Sequence, residues 1–272
     1  MFFHILLWNL YPDADPADVA EGMRRMQREN TEDMKRLTFG HRLDIAPPEP
    51  GSSGAFTRPA TDGGVSESGP VERSGEPFDY FFVMDFEDAE AYRRYVNSPA
   101  HDGPAATHPD PGFAWETCAT RWSEFLSSDH HHEQGTEWRP VSTRGPGSVL
   151  HMVLWDVRED ATELRVDEML TALEELPAAI PEMLSLSVGR RFRPTSGGRS
   201  LVDRSLLVPR GTGPLPYRYV EDQPRFGLLA EFADVEGLRT YLAHPAHTAF
   251  LEQHVQPLWT RLLRQEMEIE EG

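Results

Sequence analysis

The chain has 272 residues, of which 39% are hydrophobic and 26% charged, and its formal net charge is −19. That length suits two domains of ordinary size, each large enough to bury a core. A polyanion is repelled by nucleic acid and by anionic bilayers, and no apolar run is long enough to span a membrane, so both partner classes are excluded.

The opening MFFHILLWNL is apolar but lacks a basic leader region, and the acidic YPDADPAD follows at once. It is therefore expected to be a strand over 2–10, not a signal peptide. Asp15 before Pro16 marks a helix start, and Val19, Met23, Met26, Met34 and Leu37 are spaced as one helical face. Lys35, the only lysine, falls late in that segment, which argues against lysine-imine chemistry. Strand alternation follows over Thr38 to Asp44. Residues 46–77 are rich in Pro, Gly and Ser and are expected to form a mobile excursion. A strand over 78–87, a helix over 88–97, a short helix and a last strand ending near Phe125 complete the segment. Residues 127–148 are expected to be a linker, with His130, His131 and His132 inside it. Cys118 is the only cysteine, so no intrachain disulfide forms, which fits a reducing cytoplasm.

The second half repeats the first. VLHMVLWDV at 149–157 answers FFHILLWNL at 2–10 and places His151 over His4. A helix over 162–176 carries Val166, Met169, Leu170, Leu173 and Leu176 on one face, and a strand follows near 184–193. A second Pro/Gly-rich excursion spans 194–224. Then GLLAEFADVEGLRTYLAHPAH at 227–247 aligns without gaps on FFVMDFEDAEAYRRYVNSPAH at 81–101. Tyr95 and Tyr241 coincide, as do His101 and His247, whereas Ser98 stands against His244. Helices over 234–243 and 246–258 and a strand near 260–269 close the chain, with the carboxylates of EMEIEEG, from Glu266 on, read as a solvated tail. Self-similarity at a long fixed period means a duplicated unit. Each copy reads β-α-β-β-α-β, the ferredoxin-like order, so the fold class is α+β with repeats at 1–126 and 149–272. One such unit leaves a bare sheet face, and the two are expected to bury those faces together as an intrachain pseudo-dimer.

The opening strand with its His, the F-x-D-x-E turn into a helix, and a Tyr six residues before the last His of H-P-A-H resemble the stress-responsive dimeric α/β-barrel family. The second copy is most similar, in the style of its plant polyketide-cyclase branch. The first departs from it at Ser98 and in the added HDGPAATHPDPG. The resemblance implies a cofactor-independent, cytoplasmic enzyme acting on a small apolar carbonyl or polyketide-like molecule by aldol or Claisen-type closure, with a homodimer of the pseudo-dimer as an open assembly. It implies His247 as base, Tyr241 as hydrogen-bonding partner and His151 as support, with His101, Tyr95 and His4 as first-copy equivalents. A neutral imidazole can take a proton alpha to a carbonyl, and a phenol can donate to the enolate oxygen as charge develops. Two other classes stay open: a non-catalytic stress or ligand-binding protein, and a haem-degrading or quinol-type monooxygenase. No metal is expected, because the histidines lack carboxylate or thiolate partners at ligand spacing.

Overall fold

The computed structural model describes residues 1–29, 32–43, 45, 56–58, 72–74, 78–96, 122–132, 145–191, 218–219 and 224–271. The chain divides into two compact units, each an α+β, ferredoxin-like assembly.

The first unit comprises residues 1–39, 79–131 and 192–223. Strand β1 (Phe2–Leu10) leads into helix α1 (Pro16–Glu29), which starts at Pro16 where proline is pre-organised for the first turn. Strand β2 (Met34–Arg42) follows, then β5 (Tyr80–Phe86), helix α2 (Ala89–Val96) and β6 (Trp122–His132). The sheet order β2-β5-β1-β6 is the ferredoxin-like order. The expected helical face is cut short. Met34 and Leu37 belong to β2, where they join Phe39 in the core with Val19 and Met23; the side chain of Met26 lies outside the described residues. Helical spacing and strand alternation overlap by chance at these positions. Lys35 thus sits on a strand, exposed, 3.2 Å from Glu87. Strand β6 runs on through His130–His132, past the expected end near Phe125. The reason is that β1 begins at Phe2 and supplies hydrogen-bonding partners that far, with Phe2 opposite His131. A two-residue strand, β9 (Arg218–Tyr219), lies parallel to β6.

The second unit comprises residues 40–78, 132–191 and 224–272. Strand β7 (Val149–Val157) is followed by helix α3 (Glu163–Ala179), capped by Thr162. Strands β8 (Ser185–Arg191) and β10 (Phe226–Phe232), helices α4 (Val235–Ala243) and α5 (Pro245–Phe250), a π-helical turn (Leu251–Val255) and β11 (Trp259–Glu271) complete it. The order β8-β10-β7-β11 matches that of the first unit. A short hairpin, β3 (Phe56–Arg58) with β4 (Glu72–Ser74), adds to β11 with Thr57 opposite Leu262. Most of both excursions, where mobility is expected, lies outside the described residues; these short strands are the parts within them.

All five apolar positions expected on α3 are buried, and they pack with Val149, Trp155 and Val157 of β7. Leu150, Met152 and Leu154 point to the opposite sheet face and are also buried. None of the described helices is long and apolar enough to cross a membrane.

Candidate functional site

The site grows out of one proline. Asp234 caps α4 by accepting the Gly237 N–H at 2.9 Å. The helix stops at Ala243 because the residue before a proline is driven out of helical geometry, and His244 has ψ 134. Pro245 then opens α5 at its first turn. In an unbroken helix, Tyr241 and His247 would point about 120° apart. The break folds His247 back instead, and the two rings lie 4.3 Å apart between centroids. From β7, His151 also lies beside Tyr241, with centroids 5.5 Å apart. The structure thus brings together the three second-copy residues singled out from sequence. All are buried.

Hydrogen bonds set the state of each ring. His247 Nδ1 lies 3.3 Å from the Leu242 carbonyl, which only accepts, so Nδ1 carries the proton and Nε2 the lone pair. His244 is the reverse: its Nδ1 accepts the Ala246 N–H at 3.2 Å, which caps α5. His151 Nδ1 lies 3.1 Å from Glu266 Oε1. Burial pushes His247 down from the ordinary histidine value to about 4, and the neighbouring His151 adds to this. Burial also lowers His151, against the raising effect of Glu266. Both imidazoles are therefore neutral near pH 7. Burial raises Tyr241 above its ordinary value, so it remains a phenol and a donor. Among the described residues its hydroxyl has no hydrogen-bond partner.

Glu266 joins this group although the sequence pattern did not single it out. It is not part of a solvated tail. It lies on β11 directly opposite His151, buried, and its Oε1 accepts from Arg264 Nε at 2.5 Å. Burial opposes its charge, but the hydrogen bond from His151 and the Arg264 guanidinium hold it below the usual carboxylate range. The signal was present in sequence. Leu263, Met267 and Ile269 alternate as a strand, which turns Glu266 to the other face.

The first copy is built differently. His4 Nδ1 lies 3.1 Å from the hydroxyl of Tyr92, not of Tyr95. Tyr95 packs on Phe86, at 5.2 Å between centroids. His101, Ser98 and Cys118 lie outside the described residues. The strand register places Asp129 opposite His4, as Glu266 is opposite His151, but Ser127 takes the position of Arg264. Among the described residues, no group of three or more His, Cys, Asp or Glu side chains is arranged to hold a metal ion.

The model of the stress-responsive A/B barrel domain matches residues 149–208 and 217–269. The second repeat is similar to that family over these residues. Comparison with curated proteins found no match. Among solved structures, a putative monooxygenase from Lactobacillus acidophilus is similar over 99% of this chain and 93% of its own, with TM-score 0.55 at 9% identity. A putative monooxygenase from Fusobacterium nucleatum covers 99% of this chain and 92% of its own, with TM-score 0.54 at 8% identity. An anthrone oxidase-like protein covers 98% of this chain and 90% of its own, with TM-score 0.55 at 7% identity. At such identities the likeness is one of fold.

Proposed function

We propose that the second repeat is a cofactor-independent acid/base centre acting on an apolar, enolisable carbonyl compound, with aldol or Claisen-type closure of a poly-β-ketone as the reaction it best suits. The observation that carries this reading is the closeness of the Tyr241 ring to two neutral imidazoles, 4.3 Å from His247 and 5.5 Å from His151. His247 accepts the proton on Nε2. Its low basicity limits it to acidic C–H bonds such as those between two carbonyls. Tyr241 donates to the enolate oxygen as charge develops, which a phenol kept protonated can do at neutral pH. His151 supports the pair. Holding both reacting carbons of one substrate in a buried site supplies the rest.

The test needs no natural substrate. An alkyl β-diketone in deuterated buffer reports proton abstraction by loss of its methylene signal. The protein should accelerate this exchange, and His247→Ala should lose about 10²–10⁴ of the acceleration. Full exchange in a folded His247→Ala protein would remove His247 as the base. Binding of the diketone without exchange would favour the ligand-binding class, and a product carrying oxygen from dioxygen would favour the oxygenase class.

A further inference from the structure

We propose that Glu266, neutralised by Arg264, is a positioning residue that holds His151 as its Nδ1–H tautomer and leaves the Nε2 lone pair free beside Tyr241. This rests on the reading of the second repeat as an acid/base centre, which it deepens.

The argument begins with the strand register. β11 runs antiparallel to β7 and places Glu266 across from His151 and Arg264 across from Val153. Glu266 and Arg264 are two apart on one strand, so they share a face. Both hydrogen bonds converge on one atom. Oε1 of Glu266 receives Arg264 Nε at 2.5 Å and meets His151 Nδ1 at 3.1 Å. A guanidinium has no lone pair to offer, so that contact is a donation. An oxygen already accepting from a cation is a poor place for a proton, so the remaining contact is also a donation, from His151. The proton is therefore on Nδ1.

The consequence is chemical. An imidazole with Nδ1–H presents Nε2 as its only basic atom. The same state is set at His247 by the Leu242 carbonyl. Two imidazoles on different elements are thus held in one tautomer close to Tyr241, while His244, three residues before His247, is held in the other. A backbone carbonyl fixes a tautomer but cannot stabilise an imidazolium well. A carboxylate does both. Glu266 therefore offsets part of the burial that disfavours charge on His151, whereas His247 has only a carbonyl; both rings remain neutral near pH 7. The groups around His151 are Glu266 and Arg264 from β11, Tyr241 from α4 and His247 from α5; β10 places Ala230 opposite it and adds no charge. In the first copy the register sets Asp129 opposite His4 and Ser127 at the position of Arg264.

The experiment is long-range ¹H–¹⁵N NMR on the ¹⁵N-labelled full chain, with His151 assigned by its loss in His151→Gln. At neutral pH the wild type should show a protonated Nδ1 and a bare Nε2 at His151. Glu266→Leu removes the acceptor and should move His151 towards the Nε2–H form that free imidazole prefers. Glu266→Gln keeps an acceptor but removes the charge, and should weaken protonation of His151 by about tenfold or more. A wild-type His151 in the Nε2–H form overturns the proposal, even if Glu266→Leu does not fold. So does an unchanged His151 titration in a folded Glu266→Gln protein. Neither result depends on turnover. Failure of diketone exchange with the tautomer as stated would instead count against the enzymatic reading alone.

Discussion

Replacing His247 with Asn should flatten the acid sensitivity of the second repeat. The asparagine amide can still donate to the Leu242 carbonyl, as Nδ1 does now, but it does not titrate. In the folded chain His247 is held at about 4, against an ordinary value of 6.5, chiefly by burial. A histidine depressed in this way binds its proton more weakly when folded than when unfolded. Its neutral form therefore contributes stability that is fully present above pH 6.5, falls as the pH drops, and is lost once the pH is below about 4. At about 1.4 kcal/mol for each pH unit between those values, that contribution is about 3 kcal/mol. The measurement is urea unfolding from pH 7.5 to pH 4, followed by the fluorescence of the tryptophans and by hydrogen exchange in α4. The wild type should lose about 3 kcal/mol more than His247→Asn over this range. His151 is depressed as well and should leave a residual slope in the variant. Equal slopes for the two proteins would show that His247 is not buried in its neutral form, and the account of the site would fall with it.

Three further outcomes follow from the same geometry. Tyr241→Phe should leave stability unchanged to within about 1 kcal/mol, since the hydroxyl bonds no described protein group, yet should slow diketone exchange; a drop of several kcal/mol in urea titration would make Tyr241 a structural residue. His101→Ala should spare the exchange activity that His247→Ala removes, and the reverse pattern in the same assay would put the centre in the first repeat. Asp234→Ala should cost about 1 kcal/mol by freeing the Gly237 N–H that its side chain caps; no change in thermal melting would show that the cap is replaced by solvent.

The sequence by itself determined the fold class and the three side chains at the site. Duplication is legible because two copies of one unit must repeat their strand, turn and helix signals in order. The α3 face was legible because its core contacts recur at helical spacing within one element. Tyr241, Pro245 and His247 were legible for a similar reason. They lie within seven residues, and the helix break that joins them is a local effect of proline. Met34 and Leu37 were misassigned because two periodicities coincide there, and only the packing of β2 into the first core separates them. Glu266 was misread for a deeper reason. Its partner lies 115 residues away, and the contact exists only through the register of β7 against β11. Shifting that register by one residue would turn Glu266 to the other face of the sheet. A run of acidic residues carries no mark of which one will face a histidine. In the first copy, likewise, sequence alignment pairs His4 with Tyr95, but the folded chain bonds it to Tyr92. Residue types and their order are written in the chain, whereas the proton positions that make them chemistry depend on neighbours that folding alone supplies.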